Sequence, residues 1–370
     1  MGYTSQYLTR VLKLCYYLNR PYFFPKEISM NDKKLLILVD YRHTFYSSTR
    51  EVAGSMDVEK VRKLFSEEGF EVEVKGFSEV DFAHEEYTNS FVLYQSSEDP
   101  DLRYKDFIED VLLGLELNRA ILIPGFKYFR AHHNKVFMEI LRDLSGLSAI
   151  QNIHSRRFGT VEELRRHVED IPLPSVIKPG AGSRSRGVGL AHSVGRMIRS
   201  ARSASRSFSL MNLQRAIMGF INRIGYKPIS NFRNKFIVQE FIEGLSCDYK
   251  ILVYSDKYYV LRRMNRRDDF RASGSGRLSF PRDLPDGLLD YVESVFDFFN
   301  VPFGSFDIAV RQGQFFLLEF QFLSFGQYAL EKSSFFFRKD MRGWKLVEST
   351  SDLERTFVTS VCAYIDKHHL

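Results

Sequence analysis

Residues Lys33 to Asp40, KKLLILVD, place five consecutive apolar side chains between two lysines and an acid. A short apolar run without alternation predicts a strand buried on both faces, as in parallel sheets. From Asp57 to Glu68 the period becomes helical, with Val58, Val61, Leu64 and Phe65 on one face. Phe70 to Val74 alternates as a strand, and Ser90 to Tyr94 is apolar again. Tyr104 to Leu117 predicts a helix and Arg119 to Pro124 another strand. Strands alternating with helices predict a βαβ sheet. Residues 33–130 therefore read as a Rossmann-like α/β domain, one that lacks GxGxxG.

Beyond Asn134 the pattern changes. Asn134 to Leu144 and Val161 to Val168 predict helices. Residues 193–209 are rich in Ser and Arg, which predicts a mobile surface segment, and a helical piece follows from Leu210 to Ile224. The runs KFIVQEFI, YKILVYS and KYYVLRRM, separated by turns, predict an antiparallel sheet. Leu288 to Phe299 predicts a helix, and GSFDIAVRQGQFFLLEFQF a hairpin turning at Arg311 to Gln314. Leu353 to Ile365 closes the chain as a helix. At the other end, residues 1–32 read as an amphipathic helical extension, with Leu8, Val11, Leu12, Cys15 and Leu18 expected on one face. That face suits packing against the rest of the protein or, as an alternative, docking on a membrane surface.

Composition narrows the class. The chain has 370 residues, 44% of them hydrophobic, with 34 Phe, which excludes disorder over most of its length. Cys15, Cys247 and Cys362 are too far apart for a disulfide framework or a zinc spacing, so a reducing, cytoplasmic setting is expected. No apolar run reaches the roughly 20 residues needed to span a bilayer. Arg10, Lys13 and Arg20 interrupt any secretory pattern. A net charge of +6 suits phosphorylated ligands, anionic lipid or nucleic acid, and does not choose among them.

Four stretches carry candidate chemistry. In VIKPGAGSRSRGVGLAH (Val176 to His192), Lys178 ends a strand and is followed by Gly180, Gly182, Gly187 and Gly189. Glycines let backbone N–H groups approach phosphate oxygens, and the lysine adds a point charge. No Walker A motif closes the loop, so a basic hairpin tip without a ligand is the competing reading. Asp307 lies on one strand of the hairpin, and Glu319 and Gln321 lie two apart on the other, sharing a face. Acids embedded in apolar strands must be paired or metal-bound. Oxygen ligands on one face are what Mg²⁺ accepts; a structural pair with an arginine is the alternative. Glu240 ends a strand, and a short linker leads to Asp248 on the next. Lastly, VLRRMNRRDDFR offers Arg263 and Arg271 to carboxylates or phosphates, ahead of Ser273 in RASGSGR. His132 and His133 suggest a metal, but the sequence supplies no third ligand at a suitable spacing, so a helix-start or substrate contact competes.

Lysine, lysine with glycine loop, hinge, arginine, Asp and Glu-x-Gln occur in one order, and that order resembles the ATP-grasp superfamily. The likeness is strongest to ribosomal-protein glutamate ligases and D-alanine–D-alanine ligases, over roughly residues 134–327. The resemblance implies an ATP-grasp domain at 131–370, with a first subdomain at 131–242 and a metal-binding one at 243–370. It makes Lys135 and Lys178 the nucleotide lysines, and Gly182, Ser183, Gly187 and Val188 part of the loop over the phosphates. Glu240, Phe241 and Ile242 become the adenine hinge and Asp248 the ribose acid. Arg263 would steady the transferring phosphoryl group, with Lys178 beside it. Asp307, Glu319 and Gln321 would hold Mg²⁺, with Mn²⁺ as an alternative ion. The superfamily usually has Glu-x-Asn, so Gln321 is a departure; so are Arg184 and Arg186 in the loop.

The implied activity is ATP-dependent carboxylate–amine ligation through an acyl phosphate, giving ADP and phosphate. Substrates would be a small carboxylate and an amine, and a cell-surface precursor is admissible. Arg42, Ser48, Arg50, Arg271 and Ser273 are substrate-contact candidates, the first three because ligands bind beyond the carboxyl ends of parallel strands. The superfamily often forms homodimers. Two other readings stand beside this one: a nucleotide binder without ligase activity, and a basic nucleic-acid-binding protein.

Overall fold

The computed structural model describes residues 33–47, 54–182, 185–207, 214, 217–219, 229–267 and 269–369. The expected N-terminal helix, Ser48, Arg50, Ser183, Arg184 and most of the piece from Leu210 to Ile224 lie outside the described residues.

Strands β1 (Lys34–Val39), β2 (Glu71–Gly76), β3 (Phe91–Leu93) and β4 (Ile121–Ile123) form a sheet in the order β2-β1-β3-β4. All its pairings are parallel, as the alternation with helices predicts. The unbroken apolar run of β1 is explained by two covered faces. Leu35, Ile37 and Val39 pack towards the helices Val58–Glu67 and Leu353–His369. Leu36 and Leu38 pack towards the helix Arg103–Leu117. The last helix of the chain presents Leu353, Phe357, Val361 and Ile365, one residue every turn, to this first sheet.

A second sheet of β5 (Ser155–Phe158), β6 (Ser175–Pro179), β7 (Gly189–Ala191) and β8 (Phe236–Glu240) runs antiparallel in the order β5-β8-β6-β7. The largest sheet holds β9 (Cys247–Tyr254), β10 (Lys257–Met264), β11 (Leu278–Ser279), β12 (Phe303–Arg311), β13 (Gln314–Gln321), β14 (Phe335–Asp340) and β15 (Gly343–Glu348). Its main path is β13-β12-β9-β10-β14-β15, again antiparallel. The helix Leu288–Phe299 covers one of its faces. The hairpin turns where expected: Gln312 and Gly313 both have positive φ, 50° and 76°, which matches strand twist.

Two predicted elements differ. The helix beginning at Val161 stops at Arg165, with only a 3₁₀ turn at Val168–Asp170 beyond it. The Ser/Arg-rich stretch, expected to be mobile, contains the helix Val194–Ala204. Ser193 caps it by accepting from the Arg196 amide, and Met197 and Ala201 are fully buried one turn apart against Phe236 and Val238. Low-complexity composition hid a two-residue apolar stripe. Met197→Ala is expected to cost about 2–5 kcal/mol in urea unfolding. Arg199→Ala, on the exposed face, is expected to stay within about 0.5 kcal/mol. Equal effects would mean that this helix is not packed.

Candidate active site

The second and largest sheets enclose a cavity of about 440 Å³, a size typical of ligand pockets. Its floor is a ladder of charges across four strands of the largest sheet. Arg263 on β10 lies directly opposite Asp248 on β9. Two positions along β9, Lys250 faces Asp307 on β12. Asp307 in turn faces Glu319 on β13. Cross-strand neighbours lie about 5 Å apart at Cβ, so the charges are in direct reach.

Each carboxylate is held by a cation. Arg263 donates from Nε to Asp248 Oδ1 at 2.6 Å and from Nη2 to Asp248 Oδ2 at 2.9 Å. The same Nη2 pairs with Asp307 Oδ2 at 2.7 Å. Lys135 Nζ reaches Glu319 Oε1 at 3.3 Å from the opposite wall, and donates to the Gly182 carbonyl at 3.0 Å. Lys178 Nζ donates to Gln239 Oε1 at 2.6 Å, and Lys250 Nζ to Ser305 Oγ at 2.6 Å. Burial lowers the pKa of both Lys178 and Lys250. Burial alone would raise Asp307 and Glu319. The fields of Arg263 and Lys250 at Asp307, and of Lys135 and Lys178 at Glu319, outweigh it and hold both below the usual carboxylate range. Asp248 stays raised by its burial, and by the neighbouring Asp307 charge, despite the Arg263 fork.

One irregularity sets which side chains face the cavity. The register of β12 and β13 slips between Asp307 and Ile308, pairing Asp307 with Glu319 but Ile308 with Leu317. Leu318 is therefore a bulge residue. Leu317 and Phe320 both stay in the core, while Leu318, Glu319 and Gln321 line the cavity. Strict alternation from Leu317 would send Glu319 into the core beside it.

Metal competence is testable on this geometry. Asp307 Oδ1 is buried and accepts no hydrogen bond; Lys250 Nζ stands 3.8 Å away. Two carboxylates and an amide on one face are hard oxygen donors, and they fit Mg²⁺. Gln321 turns its amide nitrogen to Glu319 Oε1 at 3.1 Å, so its carbonyl becomes a ligand only after an amide flip.

The loop after β6 covers this floor. Gly182, Ser185, Arg186 and Val188 line the cavity, as do Glu240, Phe241 and Ile242, the residues expected as a hinge. Phe270 meets Phe241 edge-on at 5.7 Å. Gly187 does not line the cavity. Its φ of +70° and a Cβ position 2.8 Å from Pro179 Cγ make its role steric, a close crossing that only glycine allows.

Further sequence expectations are relocated. Asp248 lines the cavity, but both its oxygens are engaged by Arg263, so it does not stand free for a ribose. Arg42 is outside the cavity lining: its guanidinium folds back on Asp40 at 2.6 Å and donates to Ser47 at 3.2 Å. Arg271 and Ser273 do line it, with Arg271 paired to Asp269 at 2.5 Å.

Lys250 escaped the sequence reading. Its signal was present: it lies two strand positions from Asp248, hence on the same face. Beneath Gln239 lies a buried pair also missed, Glu139 with Arg142 at 2.9 Å, one turn apart on the helix Lys135–Leu144.

No family model matches the chain, and no curated protein matches it in sequence. Solved structures do match. D-cycloserine synthetase DcsG aligns over 89% of this chain and 99% of its own, at 13% identity and a TM-score of 0.51. D-alanyl-alanine synthetase A from Vibrio cholerae O1 biovar eltor str. N16961 aligns over 91% and 99%, also at 13% identity and a TM-score of 0.51. ATP-grasp ligase PsnB, complexed with the precursor peptide PsnA2 and AMPPNP, aligns over 92% and 100% at 12% identity and a TM-score of 0.49. The chain has the ATP-grasp fold.

Proposed function

We propose that this protein is an ATP-dependent carboxylate–amine ligase. The observation that carries the reading is the floor of the cavity. There Asp307 and Glu319 face each other, each bound to a cation, and four cations (Lys135, Lys178, Lys250 and Arg263) meet three carboxylates. The surplus positive charge suits an anionic metal–nucleotide ligand. The two synthetase structures at a TM-score of 0.51 support the architecture.

In this reading the adenine lies against Glu240 to Ile242 and the phosphates lie over the floor. Bound by Asp307, Glu319 and a flipped Gln321, Mg²⁺ would draw charge from the phosphate oxygens. Arg263 would keep its fork on Asp248 and exchange Asp307 for phosphate oxygens, and Lys135 would likewise exchange Glu319, so no charge is left buried alone. A substrate carboxylate attacks the γ-phosphorus, and the bond to the ADP oxygen breaks. The amine then attacks the acyl carbon, phosphate leaves, and the amine's proton is lost to solvent or phosphate. The loop at residues 180–188 would shield the acyl phosphate from water.

A second reading, nucleotide binding without ligation, is favoured by the orientation of Gln321 alone. ADP formation in the presence of paired carboxylates and amines separates the two.

Glu319→Gln is expected to lower ATP turnover by about 100-fold or more, since a metal contributes several kcal/mol, with an unchanged circular dichroism spectrum. Undiminished ADP release would remove Glu319 from the metal site. Lys250→Met is expected to raise the KM for ATP by about tenfold, the worth of one charge-assisted hydrogen bond. An unchanged KM would mean that Lys250 serves only Ser305 and Asp307. Arg186→Ala is expected to raise the KM for ATP or acceptor, whereas Arg42→Ala leaves both unchanged because its guanidinium stays on Asp40; steady-state kinetics on the pair checks this.

A further inference from the structure

At the edge of the same cavity stands a cluster that the ligase reading does not use. Glu98 follows β3, and His132 and His133 follow the helix Phe126–Ala131. Glu98 and His133 line the cavity, while His132 lies behind them, 2% exposed. His133 Nε2 is 2.9 Å from Glu98 Oε1. His132 Nε2 stands 3.5 Å from the same oxygen, a long ion-pair contact, and apart from it neither ring nitrogen of His132 has a partner among the described residues. A buried imidazole with nothing at Nδ1 and only this long contact at Nε2 is unusual and calls for a cause.

The backbone supplies a second sign. Adjacent side chains normally diverge along a helix or strand. His133 has φ of 51°, in the left-handed region, and the two rings lie side by side with centroids 5.1 Å apart. Lys105 donates to the His132 carbonyl and fixes the loop in this form. Non-glycine residues in this region cluster at functional sites.

We propose that Glu98, His132 and His133 form a binding site for a zinc-type divalent cation, separate from the Asp307 and Glu319 pair. Ligand atoms from the three residues all lie within 4.8 Å of one another. Around a tetrahedral ion with bonds near 2.1 Å, neighbouring donors are about 3.4 Å apart. The two distances to Glu98, 2.9 and 3.5 Å, lie on either side of that separation, and the two imidazoles offer donors within 4.8 Å of each other, so side-chain shifts of about an ångström would complete the shell. Two imidazoles and one carboxylate select a borderline ion over Mg²⁺. Three protein ligands leave a fourth position, and the side of Glu98 and His133 that meets the cavity provides it. An open fourth position is the pattern of catalytic zinc rather than structural zinc.

The test uses the full chain without an affinity tag, stripped with chelator and titrated with Zn²⁺ by calorimetry, and with Co²⁺ followed by visible absorption. One equivalent of Zn²⁺, and the intense visible bands of low-coordinate Co²⁺, are expected for the parent and for Glu319→Gln. Glu98→Ala, His132→Ala and His133→Ala are each expected to lose affinity by at least the roughly 10–100-fold that even an outer partner is worth. Glu98→Ala and His133→Ala alter cavity-lining side chains, so they carry the test if His132→Ala fails to fold. No zinc uptake by the parent, or uptake equal in the parent and in folded Glu98→Ala and His133→Ala, would overturn the site. So would loss of the same equivalent in Glu319→Gln.

Discussion

Buried charge must be compensated, and that requirement organises this molecule. Asp248, Asp307 and Glu319 lie on the floor of one cavity, and each is matched by Arg263 or Lys135. Removing one partner from such a pair typically costs about 3–5 kcal/mol, because the other charge is stranded. The ladder is therefore a structural element in its own right. It is also a set of exchangeable pairs, since the cations suit phosphates and the carboxylates suit a metal. In the proposed function such a site would take up its charged ligands by swapping partners, which avoids a lone buried charge at either stage.

The sheets exist to hold those pairs in register. Antiparallel pairing sets Arg263 against Asp248, Lys250 against Asp307 and Asp307 against Glu319. The bulge at Leu318 makes that possible without unpacking the hairpin. It keeps Leu317 and Phe320 in the core and turns Glu319 and Gln321 to the cavity. Further along β9, Leu252 and Tyr254 join the core shared with the first sheet and the last helix. The charged floor thus continues directly into the apolar packing that fixes the first sheet beside it, and this brings Glu98 and His133 to the cavity rim.

Much of the fold was legible because each sheet leaves its own pattern. The unbroken run at Leu35 to Val39 marked a strand covered on both faces, and the turns between the runs after Phe236 marked antiparallel strands, but these divide between two sheets: Phe236–Glu240 joins the second, and Cys247–Tyr254 and Lys257–Met264 the largest. Met197 and Ala201 were obscured by the serines and arginines around them. At the site, Lys178, Arg263, Asp307 and Glu319 were singled out from residue type and pattern and Lys135 from the resemblance, and all five line one cavity. Lys250 was overlooked because a lone lysine in a strand carries no motif. Arg42 was misplaced because nothing in its sequence context reveals that Asp40 turns it away.

The sequence by itself determined which stretches become strands and helices, because burial on one face or two sets the period of apolar residues. It also determined the chemical inventory of the site. Only the tertiary structure decided which charge meets which. Arg263 is 15 residues from Asp248 and 44 from Asp307, and no local rule pairs a guanidinium with both. Glu98 likewise meets His132 and His133 only because β3 and the helix Phe126–Ala131 end at the same rim. Cross-strand register and one bulge made these choices, since partners distant in sequence come within bonding range only when the sheets have closed.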